Sequence, residues 1–264
     1  MKKDLAKITL SQALGLEGKG MVSLVGAGGK TSLLYALARE LASEGKRILI
    51  TTTTHMLVPP ATEVSATVLS PDPEEVLEEL RGFPPAWNPI FVASHRSKEQ
   101  DKVVGFPSEG IEKLWDAGLA DWILVEADGA ARRPLKAPAA HEPVVPFGSR
   151  WVVGLVGLDG VGKPLEDAWV FRWEIYGRLC GLRRGEEVSP ESVAEVALHV
   201  DGTFKGVPPK ASKILWLNKA DLPGAQVAAY EIIAIIAEKG WGVVTQAVIG
   251  SATSPEPVMA CFAP

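Results

Sequence analysis

A glycine-rich segment between an apolar run and an amphipathic run most constrains the fold of this chain. It reads VGAGGKTS over residues 25–32, after the apolar residues 21–25 and before residues 31–43, whose leucines recur at helical spacing. A buried strand, a glycine loop and a helix in that order suit phosphate binding, because glycines let several backbone N–H groups face one anion. The helix N-terminus adds unpaired donors and the positive end of its dipole. The segment therefore predicts a phosphate-binding loop.

Each position of this loop has an expected role. We expect Lys30 to reach the β- and γ-phosphates and Thr31 to offer its hydroxyl to Mg²⁺. The usual spacing places a first glycine where Leu24 lies in the strand, so this loop is two residues short or differently wound. The alternative is a glycine-rich turn with an incidental lysine. The predicted nucleotide-binding residues of the loop are Gly26, Ala27, Gly28, Gly29, Lys30, Thr31 and Ser32.

The rest of the chain alternates short apolar runs with amphipathic segments. Runs that are apolar at every position indicate strands covered on both faces, and their alternation with helices indicates a mostly parallel sheet. The prediction is a three-layer α/β fold with long loop insertions, in one domain over residues 1–264 with a core at about 20–250. Strands are predicted at residues 21–25, 47–51, 89–93, 121–125, 151–156, 213–217 and 241–249, and helices at 31–43, 73–81, 108–117, 165–180, 190–200 and 223–239.

Composition excludes several classes of protein. The chain is 47% hydrophobic with a net charge of −5, which argues against disorder and against a surface devoted to nucleic acid or an anionic membrane. Its two cysteines cannot build a disulfide framework. Neither a signal peptide nor a membrane span is visible in the sequence, so we expect a cytoplasmic location.

Two acids end the predicted strand at residues 121–125. Ligands of parallel sheets sit at the carboxyl ends of the strands, and carboxylates there suit Mg²⁺. One of Glu126 and Asp128 is expected to hold the ion or its water and the other to position a nucleophilic water; their roles stay open. Arg132, Arg133 and Lys136 follow, and are expected to contact a γ-phosphate or an anionic substrate. The alternatives are two solvated acids and a solvated basic turn.

A second strand end resembles the guanine-recognition motif of GTPases. The apolar residues 214–217 run into Asn218, Lys219, Ala220 and Asp221. The aspartate would accept two hydrogen bonds from guanine, the lysine stem would lie along the base, and the asparagine would tie the loops together. Such buried hydrogen bonds reject the wrong base strongly. We expect GTP to be favoured, with ATP or no base preference as the alternative.

Hydroxyls and a histidine end the predicted strand at residues 47–51. Contacts to substrate, γ-phosphate or metal are predicted for Thr53, Thr54 and His55, against the alternative of β-propensity with a loop histidine. Asp159, in the GLDG segment after residues 151–156, is predicted to sense phosphate or face substrate, unless that segment is a plain tight turn.

These segments together resemble the YqeC family, described as accessory to selenium-dependent hydroxylases or as selenium-cofactor biosynthesis proteins. The resemblance rests on GAGGKT at 26–31, TTTTHM at 51–56, EADG at 126–129, RPLKAP at 133–138, GLD at 157–159 and NKAD at 218–221. It implies a P-loop NTPase-like fold and a nucleotide-binding protein that assists maturation of molybdenum hydroxylases. Metallochaperone GTPases look similar, but this chain has no Cys-rich or His-rich delivery motif.

Three functional hypotheses result. The first is a Mg²⁺-dependent NTPase, GTP-preferring, with a client molybdenum hydroxylase or cofactor-maturation protein as partner. The second is a small-molecule kinase that uses the same loop, and the third is a nucleotide-sensing adaptor with negligible turnover. No nucleic-acid or membrane partner is expected, and the oligomeric state stays open. Catalytic roles are assigned to Lys30, Glu126, Asp128, Arg132 and Arg133, and metal binding to Thr31, Glu126 and Asp128.

Overall fold

A nine-stranded, mostly parallel sheet forms the centre of the molecule. The computed structural model describes residues 8–98 and 101–264; the first residues of the chain, where no signal peptide is predicted, lie outside them. In chain order the strands of the sheet are β1 (Gly20–Gly26), β2 (Ile48–Thr52), β3 (Ala66–Leu69), β4 (Ile90–Ala93), β5 (Trp122–Glu126), β6 (Ser149–Gly157), β7 (Ser212–Asn218), β8 (Gln246–Gly250) and β9 (Val258–Phe262).

The strands lie in the order β9-β8-β7-β6-β1-β5-β2-β4-β3. Every neighbouring pair is parallel except β8 and β9. The strand that leads into the glycine loop, β1, therefore lies inside the sheet between β5 and β6. Because all these parallel strands point the same way, the loop and the acids that end β5 meet at one edge of the sheet.

Helices cover both faces of the sheet, which confirms the predicted three-layer α/β fold. The helices are α1 (Leu10–Ala13), α2 (Lys30–Ser43), α3 (Pro73–Gly82), α4 (Ser108–Asp116), α5 (Trp173–Cys180), α6 (Pro190–Leu198) and α7 (Ala225–Glu238). One apolar core joins α1 and α2 to the sheet, and a second joins α3 to α7 to the opposite face. Alternate residues of β1 supply the two cores, Val22 on one side and Met21 on the other.

Several parts of the sequence prediction need correction. The strand predicted at residues 241–249 spans only Gln246–Gly250, and residues 241 and 242 before it have positive φ. The predicted helix at 165–180 is helical only over Trp173–Cys180; before it, Val170–Phe171 forms a short parallel ladder with Leu135–Lys136. Long-range backbone hydrogen bonds replace the helical ones there, such as that from Leu135 N to Trp169 O. The edge strands β3 and β9 are not among the predicted strands; both are short and only partly buried, so neither forms a long run of buried residues.

A smaller antiparallel sheet lies beside the end of β2. It contains His55–Leu57, Lys102–Val104 and His95–Arg96, with Lys102–Val104 in the middle. In the described ranges, no helix has both the length and the apolar character needed to cross a bilayer.

Candidate nucleotide-binding site

The glycine loop links the end of β1 to the start of α2 through left-handed backbone conformations. Gly28 has φ +83° and Gly29 has φ +126°. A Cβ atom at Gly28 would lie 2.3 Å from the backbone nitrogen of Gly157, and one at Gly29 would lie 2.2 Å from Nδ2 of Asn218. Only glycine fits both positions, because conformation and close approach each exclude a side chain.

A hydroxyl and a carboxylate meet where the loop enters α2. Oγ1 of Thr31 donates a hydrogen bond of 2.8 Å to Oε2 of Glu126, the last residue of β5. Burial raises the pKa of Glu126, and this outweighs the opposing effects of Lys30 and of the Thr31 hydrogen bond. The pair places two oxygen ligands side by side at the loop, which is the donor set that Mg²⁺ accepts.

Asp128 lies in a different environment, between two buried ammonium groups. Its Oδ1 lies 3.1 Å from Nζ of Lys30, and its Oδ2 accepts hydrogen bonds from Nζ of Lys136 at 2.8 Å and from the backbone nitrogen of Gly26 at 3.0 Å. Burial lowers the pKa of Lys30, but the carboxylates of Asp128 and Glu126 raise it more, so that the net shift is upward. Lys30 also donates to the carbonyl of Gly26 at 2.7 Å. Asp128 thus holds the loop and the loop lysine in place.

The charge chain continues beyond Lys136. Nζ of Lys136 donates to Oε2 of Glu142 at 2.7 Å, and Arg172 donates to both oxygens of Glu142 at 2.5 and 2.9 Å. Burial alone would raise the pKa of Glu142, but hydrogen bonds from Arg172 and Lys136 lower it to about 2. The five charges from Lys30 to Arg172 connect the loop to the residue that precedes α5.

Asn218, at the end of β7, joins a second loop to the glycine loop. Its Nδ2 donates to the carbonyl of Gly28 at 2.7 Å. Its Oδ1 accepts from Nε1 of Trp216 at 3.1 Å and from the backbone nitrogen of Ala252 at 2.9 Å. The turn after β8 therefore contacts this asparagine. Asp221 is exposed, and no described group pairs with its carboxylate.

A cleft of about 800 Å³ opens in front of the loop. It extends from the loop to the small sheet on one side and to the residue before α5 on the other. Thr31 and Ser32 also border a second cleft of about 630 Å³, formed with Tyr35 and the turn after β8. The lining residues that the sequence prediction named are Gly28, Gly29, Lys30, Thr31, Ser32, His55, Glu126, Arg132, Arg133 and Lys219.

Several residues predicted to contact substrate lie elsewhere. The Thr53 hydroxyl donates to the carbonyl of Val144 at 2.8 Å, and the backbone nitrogen of Thr54 donates to Oγ1 of Thr52 at 3.1 Å. Neither Thr53 nor Thr54 is among the residues that line the cleft. Lys136, predicted to contact a γ-phosphate or an anionic substrate, is buried in the charge chain and does not line this cleft. Asp159 pairs with Nζ of Lys219 at 2.7 Å and does not line the cleft.

Sequence reasoning missed Arg172 and the ion pairs of Glu142. The partners of Glu142 lie six and 30 positions away along the chain, too far for a local sequence pattern to connect them. No local sequence pattern marked Arg172 as a site residue, because it falls inside the helix predicted at residues 165–180. Glu142 is preceded by His141 in a proline-rich stretch, which marked a loop but not its partners.

A family model described as "YqeC protein" matches residues 22–174. The chain is also 35% identical, over 214 residues and 81% of each chain, to "Uncharacterized protein YqeC" of Escherichia coli (strain K12). The chain belongs to the YqeC family. The YqeC match includes the glycine loop, both acids and Arg172, and it ends before Asn218.

Among solved structures, the chain is similar to FtsY from Mycoplasma mycoides. The two share 12% identity with a TM-score of 0.40, and the match covers 95% of this chain and 65% of that one. A second crystal form of the same protein gives a TM-score of 0.30 at 11% identity. The P-loop NTPase-like character of this YqeC-family chain rests on its own topology, with a glycine loop between a central parallel strand and a helix.

Proposed function

We propose that this chain binds a nucleoside triphosphate with Mg²⁺ at the loop of residues 26–32 and hydrolyses it. The observation that carries the proposal is the hydrogen bond of 2.8 Å between Thr31 and Glu126, beside a lysine buried at the same loop. Thr31 and Glu126 would hold the ion directly or through water, and Lys30 and the loop amides would hold the phosphates. When bound, Mg²⁺ neutralises charge on the phosphate oxygens.

The proposal assigns the base to the loop after β7 and favours GTP over ATP. Asn218 connects that loop to the phosphate loop, and the Asp221 carboxylate is exposed without a described partner. A carboxylate there could accept both hydrogen bonds of guanine, whereas adenine offers one acceptor and one donor. The cleft bordered by Thr31, Ser32 and Tyr35 also includes Ala252, whose backbone nitrogen contacts Asn218, and it provides space beside that loop.

We further propose a role as an accessory factor in the maturation of selenium-dependent molybdenum hydroxylases, in the cytoplasm. The support for this role is the motif resemblance to YqeC proteins, and nucleotide turnover would gate the accessory step. The structure adds one consistent feature: the charge chain from Lys30 to Arg172 links the phosphate loop to a second segment of the cleft wall.

Calorimetric titration with GTP and ATP, with and without Mg²⁺, tests the nucleotide site. We expect Mg²⁺-dependent binding of GTP that Lys30→Ala and Thr31→Ala each weaken by about 100-fold, because charge-assisted contacts are lost. Asp221→Ala should weaken GTP binding by about 100-fold and leave ATP binding unchanged. Asp116→Ala, another exposed aspartate, is the matched control.

Two results would contradict the proposal. Equal binding of GTP and ATP that Asp221→Ala does not change would overturn the base assignment. A wild-type protein that binds neither nucleotide would overturn the nucleotide site itself.

Small-molecule phosphoryl transfer is a second candidate, favoured by the space that the cleft offers beyond the loop. A phosphorylated acceptor in place of free phosphate would identify it.

A further inference from the structure

The cleft in front of the glycine loop is larger than the loop itself requires. Beyond Lys30 and Thr31 it continues between the strand His55–Leu57 and the turn at residues 129–133, and it reaches Arg172. Its volume of about 800 Å³ lies in the range of complete small-molecule sites. A triphosphate held by the loop would occupy only the end next to α2.

We propose that the far part of this cleft is a second ligand site, for a small molecule with a phosphate or carboxylate group beside an apolar portion. Arg132 binds the anionic group in this proposal. The proposal deepens the proposed function, because it rests on a nucleotide occupying the loop end of the same cleft.

The first support is backbone strain concentrated in the cleft wall. Non-glycine residues rarely adopt positive φ, and such residues cluster at sites where function requires a fixed geometry. Six described non-glycine residues have positive φ, and four of them line this cleft. These four are Ala131 at 46°, Arg132 at 59°, Arg172 at 60° and Lys219 at 66°.

The second support is the guanidinium group of Arg132, which has no acidic partner among the described residues. Three other cations of the cleft wall have acidic partners: Arg133 pairs with Asp167, Arg172 with Glu142, and Lys219 with Asp159. Arg132 is exposed, and no described carboxylate or carbonyl accepts a hydrogen bond from its guanidinium group. A guanidinium group held on a fixed backbone at a cleft wall recognises phosphate or carboxylate in a bidentate manner.

The third support is the presence of two apolar side chains in the wall of the same cleft. Leu57 is 42% exposed although it lines a cleft, and Phe171 lies half-buried with the Arg172 guanidinium 4.4 Å from its ring centre. These side chains would pack against an apolar portion of the ligand, and the burial of that portion would add affinity. Inorganic phosphate, which lacks such a portion, would bind more weakly.

The test is calorimetry on protein saturated with Mg²⁺ and a non-hydrolysable GTP analogue, so that every phosphate position of the loop is filled. Phenyl phosphate, benzoate and inorganic phosphate are the probes, and the first two distinguish a phosphate from a carboxylate ligand. We expect one of the two aromatic anions to bind saturably at one site, about tenfold tighter than inorganic phosphate. Leu57→Ala should remove that advantage.

Arg132→Gly is the decisive variant, because glycine adopts a φ of 59° without strain. The variant should fold with equal or greater stability and bind the aromatic anion at least about tenfold more weakly. Arg132→Lys should retain part of the affinity, and Arg81→Ala, on the exposed surface of α3, is the control that should change nothing.

Three results would overturn the second site. These are no binding of either aromatic anion to the saturated protein, loss of binding whenever the analogue is present, and full affinity in Arg132→Gly. If the wild type does not bind the analogue, the proposed function fails instead. The same probes are then titrated into the nucleotide-free protein, where the effect of Arg132→Gly still decides for or against the site.

Discussion

Two carboxylates that are two residues apart have opposite surroundings. Glu126 is buried, accepts a hydrogen bond from Thr31 and has a raised pKa, so the cost of its charge is only partly offset. Asp128 has an ammonium group within 3.1 Å of each carboxylate oxygen. The carboxylate whose charge is not fully balanced is the one that a divalent cation would stabilise. We therefore propose that Glu126 binds the metal ion and that Asp128 has a positioning role.

Isosteric amides separate these roles. Asp128→Asn leaves two buried lysines with one anionic partner fewer, so the free energy of unfolding should fall by at least about 3 kcal/mol. Glu126→Gln keeps an acceptor for Thr31 and removes an unbalanced buried charge, so stability should be unchanged or slightly higher while the effect of Mg²⁺ on nucleotide binding is lost. Urea unfolding and titration with and without Mg²⁺ measure both effects. Equal destabilisation by the two changes would contradict the assignment.

At the level of elements, the end of β7 connects the two loops of the site. One side chain, Asn218, satisfies the Gly28 carbonyl, the Trp216 indole and the Ala252 amide. The sequence motif predicted that this asparagine ties loops together, and the structure identifies the tie as a hydrogen bond to the glycine loop. The position of the loop after β7 is therefore coupled to that of the glycine loop.

Loss of the Asn218 hydrogen bonds should weaken the binding of GTP and ATP to a similar extent. Asn218→Ala leaves three polar groups without their partner and should lower the free energy of unfolding by about 2 kcal/mol, with weaker binding of GTP and ATP. Asn218→Asp retains the acceptor for Trp216 and Ala252 but places a buried carboxylate oxygen against the Gly28 carbonyl, so nucleotide affinity should fall with a loss of stability at least as large. A selective loss of GTP binding in Asn218→Asp would contradict this explanation.

The elements that the sequence predicted well share one property. Strands β1, β5, β6 and β7 are buried along most of their length, so they appear as continuous apolar runs with a recognisable polar end. The motifs at those ends could be placed on one edge of the sheet from strand direction alone. Residues such as Arg172 could not, because their role depends on which distant carboxylate they meet, and no local pattern records that.

For the whole molecule, the alternating charges from Lys30 to Arg172 bind the loop of residues 127–148 to the rest of the fold. The first of these charged residues, Lys30, belongs to α2, and the last, Arg172, directly precedes α5. The two helices lie on opposite faces of the sheet. The same contacts therefore position the phosphate loop and one wall of the cleft. Acid should disrupt them together once the carboxylates take up protons.

Glu142 allows that dependence to be measured. Its pKa is about 2 in the folded protein and 4.5 as a free group, so its ionised form stabilises the fold. A lowered carboxyl pKa contributes stability that is complete above pH 4.5 and is lost as pH falls toward 2. The difference corresponds to about 3 kcal/mol.

Glu142→Gln should lower the free energy of unfolding at neutral pH by about that amount and flatten the decline of that free energy between pH 4.5 and 2. Urea unfolding across this range, with the exposed Glu231→Gln as control, checks the prediction; an unchanged acid profile in Glu142→Gln would show that Arg172 and Lys136 do not hold this carboxylate ionised.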